Sequence, residues 1–234
     1  MEVTLLNKEE CKNFFKLWGE FACTCYNTDK KYAERVGKSC FATGHYSGSR
    51  AFSFVFEIKG ISRACSHQLV RHSVGVTINQ RSQRYCDETS FDYVIPPSIK
   101  KKPSARKYYD ECMKSINTMY KILNSKLCEE LKGEELKQDI RYILPNACTT
   151  ELTMGLTLEA LIHFCEERLC TASQWEIREL ASLMRKEVVE VLPELKEKLN
   201  SKCINLGYCP ESEKRCCGIR PSKNNIKIIK LEEK

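Results

Sequence analysis

The chain has 234 residues, of which 42% are hydrophobic and 29% are charged, and its formal net charge is +7 at pH 7. This composition provides for a sizeable core and favours an anionic partner, without choosing between a nucleotide, a nucleic acid and a membrane surface. No apolar run approaches the roughly 18 residues of a membrane span, and residues 1–15 lack the regions of a signal peptide. We therefore expect a cytoplasmic protein that does not cross a membrane.

The predicted elements begin with helices and one strand. Residues 8–20 have the apolar spacing of a short amphipathic helix, and residues 30–36 predict another. Residues 51–59 alternate between apolar and polar side chains, which predicts a half-buried strand that ends at Gly60. A helix over residues 61–70 is expected to follow.

The rest of the chain is mostly helical in pattern. The β-branched run over residues 74–78 predicts an extended segment, and three prolines over residues 96–103 mark a loop. Ser104 is placed to cap a helix that continues to about Leu131. Residues 157–191 predict a further helical segment. The apolar stripe of the helix that follows Ser104 has spacings of three and four residues and consists of Tyr109, Cys112, Ile116, Tyr120, Leu123 and Leu127.

The 15 cysteines are not expected to form a disulfide framework. Their number is odd, no export signal is present, and residues such as Cys112 and Cys165 fall on apolar helix faces, where cysteine acts as a small hydrophobic side chain. We expect one domain over residues 1–200 and a basic, cysteine-rich extension over residues 201–234. We predict no metal, because the spacing in the extension is not the paired pattern of common zinc sites, although zinc stays an alternative there. The cysteines concerned are Cys203, Cys209, Cys216 and Cys217.

The stretch Gln68–Tyr85, QLVRHSVGVTINQRSQRY, is the most informative part of the sequence. It combines arginines with amide and hydroxyl side chains, Arg63 lies just upstream, and residues 58–86 contain no acid. Arginines that have no acidic neighbours in the sequence are suited to bidentate binding of phosphate. The amide side chains beside them are suited to hydrogen bonds with a planar heterocycle. Arg141 and Arg168 also stand in apolar surroundings, where a buried arginine is costly without an anionic partner.

Plainer alternatives stay open for the same residues. The stretch is compatible with a basic surface loop. Arg141 is compatible with a pairing to Asp139 or with a place at a helix C-terminus. A nucleic-acid-binding protein with a zinc-bound tail is an alternative function, which predicts arginines spread over one surface beside exposed aromatic side chains. The chain has no GxxxxGK[ST] or GxGxxG pattern, which argues against a phosphate-loop ATPase or a Rossmann dehydrogenase. Arg168 has three glutamates as potential salt-bridge partners: Glu166, Glu167 and Glu176.

Five ordered segments over about residues 20–190 resemble the flavin-dependent thymidylate synthases. QLVRH followed by SQRY is similar to the signature of that family, and CTCYNT, GHYS before FSFVFEIKG, RYILP and HFCEERLCTASQWEIRELA resemble its other segments in the same order. The resemblance implies an α+β fold, in which an antiparallel sheet packs with long helices.

The resemblance also implies an activity and partners. The family converts dUMP to dTMP by reductive methylation: methylenetetrahydrofolate supplies the carbon, and FAD, which NADPH reduces, carries the hydride. It uses no enzyme cysteine as the nucleophile. We accordingly expect a homotetramer with shared active sites, and no nucleic-acid or membrane partner.

Residue roles carry over from the family motifs. Arg168 matches the arginine that polarises the uracil, and it is the expected catalytic residue because a fixed cation stabilises the charge that develops when C5 becomes nucleophilic. The positions implied to bind FAD are His45, Ser47, Arg71, His72, Ser73, Gln80 and His163. The positions implied to bind dUMP are Gln68, Leu69, Val70, Arg71, Gln80, Arg81, Ser82, Gln83, Arg84, Arg141 and Arg168.

The sequence departs from the family pattern mainly on the flavin side. The family signature begins Arg-His-Arg, and Ser73 occupies the position of the second arginine. One extra residue is inserted between Ser73 and Ser82. Gln80 replaces the usual glutamate, and Arg50 and Glu159 also differ from common choices. Losing one charged hydrogen bond weakens FAD binding by about 1–3 kcal/mol, unless Arg81 or another subunit compensates. A family member that binds dUMP but has lost FAD is therefore a further alternative.

Overall fold

The computed structural model describes residues 1–223, so residues 224–234 of the predicted extension lie outside the described residues. One four-stranded sheet with the order β1-β2-β4-β3 runs through this part of the chain. Together with the helices, the antiparallel sheet confirms the predicted α+β class. The strands are β1 (Glu2–Leu5), β2 (Phe54–Ser62), β3 (Val76–Gln80) and β4 (Thr149–Leu156).

The residues cluster into two compact units. Unit 1 consists of residues 1–2, 57–71 and 78–153, and unit 2 consists of residues 3–56, 72–77 and 154 onward. The division into a domain over 1–200 and an extension stays a prediction.

None of the helices within residues 1–223 is long and apolar enough to cross a membrane. The α-helices are α1 (Lys8–Cys11), α2 (Phe14–Tyr26), α3 (Ala33–Thr43), α4 (Arg63–Leu69), α5 (Pro97–Lys100), α6 (Pro103–Leu127), α7 (Gly133–Ile140), α8 (Leu158–Arg168), α9 (Trp175–Val191) and α10 (Lys202–Leu206).

Strand β2 is a half-buried strand, as predicted, but with different bounds. Phe54, Phe56 and Ile58 alternate with more exposed side chains and are fully buried. The prediction of residues 51–59 is wrong at both ends. Ala51 closes a 3-10 turn, and the strand continues through Gly60, because glycine adopts its φ of +72° without the steric cost that other residues meet.

Helices α2 and α3 of unit 2 pack with their backbones in near contact. A Cβ atom added at Gly19 would lie 1.6 Å from the carbonyl oxygen of Ala33. A Cβ atom added at Gly37 would lie 1.9 Å from the carbonyl oxygen of Phe15. Only glycine therefore fits at positions 19 and 37.

Several helix boundaries differ from the prediction. The helix expected over 8–20 is two helices, and the second ends where Asn27 turns to a left-handed φ of 49°. The segment 30–36 begins as a 3-10 turn and continues as α3. The segment 157–191 is broken between α8 and α9, because the Gln174 side chain accepts hydrogen bonds from two backbone amides and starts α9 anew.

Helix α6 confirms most of the predicted stripe. It begins at Pro103, whose missing amide hydrogen suits a first helical turn, rather than with Ser104 as the cap. Tyr120 is fully buried and packs with residues of α7. The prediction is wrong for Cys112, which is exposed, because Met113 is the buried residue at that level of the helix. The other cysteine assigned to an apolar face, Cys165, is buried as predicted.

Candidate active site

The C-terminal end of α4, in unit 1, carries the first predicted nucleotide-binding residues. The Ser62 hydroxyl accepts a hydrogen bond from the backbone amide of Cys65 at 3.0 Å and so caps this predicted helix. Leu69 is fully buried and anchors the helix end, whereas Arg71 is exposed just beyond it. The end of the helix therefore presents polar side chains from a fixed backbone. The predicted residues at this end are Gln68, Leu69, Val70 and Arg71.

The second group of predicted residues, 80–84, lies at the end of β3 in unit 1. Gln80 Nε2 donates a hydrogen bond to Thr150 Oγ1 at 3.2 Å, which orients the Gln80 amide. The Ser82 hydroxyl accepts a hydrogen bond from the backbone amide of Arg84 at 3.2 Å. These bonds hold residues 80–84, which are the last residue of β3 and the start of the turn that follows it.

Arg81 is already engaged by acids of unit 1. Its guanidinium group lies 3.5 Å from a carboxylate oxygen of Glu88 and 3.5 Å from one of Glu151. It also donates a hydrogen bond to the Asp87 carbonyl oxygen at 3.2 Å. An arginine with three partners is a poor candidate to replace the arginine that is absent at position 73.

Arg63, for which the sequence predicts no role, lies at this turn. Its Nη2 donates a hydrogen bond to the Arg81 carbonyl oxygen at 2.8 Å. Its Nε atom is buried without a hydrogen bond, and burial lowers the pKa of Arg63. The side chain thus ties the start of α4 to residues 80–84. The only signal for it in the sequence is its position at the head of an acid-free segment.

Arg141 and Arg84 of unit 1 differ in their pairing. Arg141 is the C-cap residue of α7 and opens the 3-10 turn Arg141–Ile143, so it lies at a helix C-terminus, as one alternative expects. It makes no ion pair within residues 1–223, so the alternative of a pairing with Asp139 is not observed. Arg84 lies 3.4 Å from Glu134 in an exposed pair, which stabilises the fold little. Both guanidinium groups are therefore available to an anionic ligand.

Arg168 of unit 2 is held by a histidine and not by an acid. Its Nε donates a hydrogen bond to His72 Nε2 at 2.9 Å. Since that nitrogen accepts, the imidazole is neutral and carries its proton on Nδ1. Burial lowers the pKa of His72 to about 4, and the neighbouring charge of Arg168 acts in the same direction.

The expected salt-bridge alternatives for Arg168 are not observed. Glu167 pairs with Lys202 at 3.1 Å, and Glu166 accepts a hydrogen bond from Asn205. Arg168 forms no ion pair in the part of the chain that the structure describes. A partly buried cation without an acid favours binding of an electron-rich ligand.

The remaining predicted FAD-binding residues also lie in unit 2. Gly75 accepts a hydrogen bond through its carbonyl oxygen from the Thr157 amide at 2.9 Å, which places the loop after His72 against the start of α8. The N-terminus of this 11-residue helix has backbone amides of the kind that fit a phosphate-bearing cofactor. Arg50 pairs with Glu159 there, with Nε 2.6 Å from Oε2. The exposed predicted residues are His45, Ser47, Ser73 and His163.

Cys148 lies beside the turn of residues 80–84 but is a poor nucleophile. Its sulfur is 3.7 Å from Gln83 Nε2. Burial raises the pKa of the Cys148 thiol to about 11, so that it stays protonated at neutral pH. The cysteines within residues 1–223 are free thiols. No group of three or more side chains is arranged to hold a metal ion there, and this includes the four cysteines of the tail.

Comparison with known proteins identifies the family of the chain. Residues 7–194 match the family described as thymidylate synthase complementing protein. The chain is 39% identical over 189 residues to a protein of Nitratidesulfovibrio vulgaris, covering 80% of this chain and 77% of the relative. It is 37% identical over 182 residues to one of Clostridium tetani (74% and 72% covered) and 40% identical over 178 residues to one of Pyrococcus abyssi (73% and 70% covered). All three relatives are named flavin-dependent thymidylate synthase, and the chain therefore belongs to this family of enzymes.

Proposed function

We propose that the protein converts dUMP to dTMP by reductive methylation, with methylenetetrahydrofolate as the carbon donor and NADPH as the source of electrons. FAD is the proposed cofactor, and it supplies the hydride in its reduced form. Family membership supports the reaction class. The observation that carries the proposal is Arg168, a partly buried cation that a neutral histidine holds and that has no acid partner within residues 1–223. The homotetramer stays a prediction from the resemblance, and the cytoplasmic location stays a prediction from the sequence.

The nucleotide is proposed to bind through the turn of residues 80–84 and the end of α4. Arg84 and Arg141 provide the planar, bidentate donors that a phosphate group prefers. Gln80 is oriented by Thr150 at 3.2 Å, so its amide presents a fixed pattern to a neighbouring group. Positioning of this kind contributes to catalysis because the reacting atoms are held close to their reactive geometry.

Arg168 is proposed to stabilise charge on the uracil ring. A guanidinium group beside N3 and the adjacent carbonyl groups stabilises the negative charge that develops as C5 becomes nucleophilic. An acid in contact with Arg168 would cancel part of this field, and neither Glu166 nor Glu167 makes such a contact. The environment is therefore suited to a neutral heterocycle that gains negative charge.

The chain's own thiols are not proposed to take part. Cys148 is the cysteine bonded to the turn of residues 80–84, and burial raises the pKa of this thiol to about 11. A thiol with that pKa supplies little thiolate at neutral pH. Activation of dUMP is therefore assigned to the arginine and not to covalent attack by sulfur.

The ultraviolet-visible spectrum of the purified protein, followed by an assay of dTMP, tests the proposed function. We expect a flavin spectrum that bleaches with NADPH, and faster with dUMP present, together with dTMP that forms only when methylenetetrahydrofolate is added. A colourless protein that cannot be reconstituted with FAD would contradict the catalytic proposal. It would leave the alternative of a dUMP-binding family member without a flavin.

Ser73→Arg is expected to increase FAD affinity about tenfold, because one charged hydrogen bond contributes about 1–3 kcal/mol. Ser73 is exposed, so the longer side chain meets no core packing. Fluorescence titration of the apoprotein with FAD measures the change. Val74→Arg is the matched control, because Val74 is the next residue and is 88% exposed. This variant tests whether an added positive charge alone is sufficient to increase FAD affinity. Equal gains from both variants would refute a specific role for position 73.

A further inference from the structure

His72 contacts three residues of helix α8 in unit 2. Its ring centroid lies 5.1 Å from that of Phe164, at an interplanar angle of 81°. The centroid of the His163 ring is 6.0 Å away. Its Nε2 accepts a hydrogen bond from Arg168 at 2.9 Å, across a sequence separation of 96 positions. The imidazole is thus fixed by an aromatic contact on one side and a directional hydrogen bond on the other.

The groups that face His72 keep its ring neutral. Arg168 and His163 disfavour the imidazolium, Glu167 favours it, and burial adds the largest effect against it, which lowers the pKa of His72 to about 4. A protonated ring has no acceptor at Nε2 and would repel the guanidinium group. The bond to Arg168 therefore exists only while His72 is uncharged.

We propose that His72 is a positioning residue for Arg168: its neutral Nε2 fixes the plane of the guanidinium group, so that the two terminal nitrogens face the uracil of dUMP. This assignment rests on the proposed function and adds a role to the flavin contact that the family resemblance implies for His72. The terminal nitrogens of Arg168 make no hydrogen bond within residues 1–223.

A neutral acceptor suits this role better than a carboxylate. A carboxylate would orient Arg168 as well, but it would also cancel much of the positive charge that the transition state uses. An imidazole nitrogen orients the group and leaves its net charge intact. A substitution at position 72 is therefore expected to change the orientation of the Arg168 guanidinium group without changing its charge.

Two substitutions at position 72 separate the acceptor from the ring. His72→Phe keeps an aromatic ring against Phe164 and removes the acceptor. His72→Gln places an amide oxygen near the position of Nε2 and retains it. In the FAD-loaded enzyme we expect His72→Phe to weaken dUMP binding about tenfold and His72→Gln to stay within about threefold of the parent protein. Tyr108→Phe, at an exposed tyrosine of α6 that has no assigned role in the site, is the control and should leave binding unchanged.

A double-mutant cycle distinguishes positioning from a general structural effect. In an Arg168→Ala background, His72→Phe should no longer change dUMP affinity, because the group that it positions is absent. Additive losses would overturn the proposal, and so would equal losses for His72→Phe and His72→Gln.

Nitrogen NMR of the labelled imidazoles tests the same inference without any turnover. We expect His72 to show a proton on Nδ1 and an accepting Nε2, and not to titrate between about pH 8 and about pH 5, whereas a free histidine titrates near pH 6.5. An ordinary titration would overturn the proposal. Absence of dTMP formation in the parent enzyme would instead defeat the proposed function, while the binding cycle and the NMR result would still decide the role of His72.

Discussion

Arg168→Ala is expected to lower the rate of dTMP formation by about a thousandfold, which is the size of effect seen when a preorganised electrostatic group is removed. The physical reason is that Arg168 is a partly buried cation with no acid partner in the described part of the chain, so its field acts on the bound ligand. Steady-state assays of dTMP with the FAD-reconstituted variant measure the loss. The larger part of it should fall on kcat, since the charge on uracil is greatest in the transition state.

Two matched variants define the result for Arg168. Arg168→Lys retains the charge but loses the planar group that bonds to His72, and its rate should fall between those of the alanine variant and the parent. Arg35→Ala removes an exposed arginine of α3 that lies over the ring of Tyr32, and it should leave the rate unchanged. A rate for Arg168→Ala within tenfold of the parent would contradict the assigned role.

Gly19→Ala is expected to destabilise the protein by about 3 kcal/mol or more, because the new methyl group has no space between α2 and α3. Its Cβ would lie 1.6 Å from a backbone oxygen, and relief of this contact requires the helices to move apart. Urea unfolding followed by circular dichroism measures the change. Gly37→Ala should have a similar effect, since it meets the same interface from the other helix.

Gly155→Ala is the control for the glycine variants. Its added Cβ would have nearest neighbours at 3.9 Å, which is ordinary van der Waals contact. We expect its free energy of unfolding to lie within about 1 kcal/mol of the parent value, because alanine in a strand carries no steric penalty there. An equal midpoint for Gly19→Ala and Gly155→Ala would show that α2 and α3 are not closely packed in solution.

The sequence pattern predicted the type of most elements but not their bounds. The alternation of Phe54, Phe56 and Ile58 identified a strand, whereas the left-handed conformation of Gly60 allowed the strand to continue past a residue that usually ends one. The sequence does not indicate the break between α8 and α9, because residues 157–191 contain no glycine or proline to mark it. The side-chain cap by Gln174 depends on local geometry that the periodicity of apolar residues does not contain.

The candidate site was predictable only where its residues are close in sequence. The end of α4 and the turn of residues 80–84 follow from one arginine-rich segment. The bond between His72 and Arg168 joins positions 96 apart, and no local pattern indicates it. Their roles in dUMP and FAD binding came from the family resemblance and stay proposals. The hydrogen bond from Arg63 to the backbone carbonyl of residue 81 could not be predicted from the sequence either, because any residue at position 81 has that oxygen.

The protonated state of Cys148 bears on the choice of inhibitors. A nucleotide analogue that carries an electrophile needs a thiolate in reach, and the thiol at this turn is buried and has a pKa of about 11. Such a compound would react slowly with Cys148, since thiolates and not thiols are the reactive species. Under the role proposed for Arg168, compounds that carry a delocalised negative charge on a planar ring are the better starting point for selective inhibition of this enzyme.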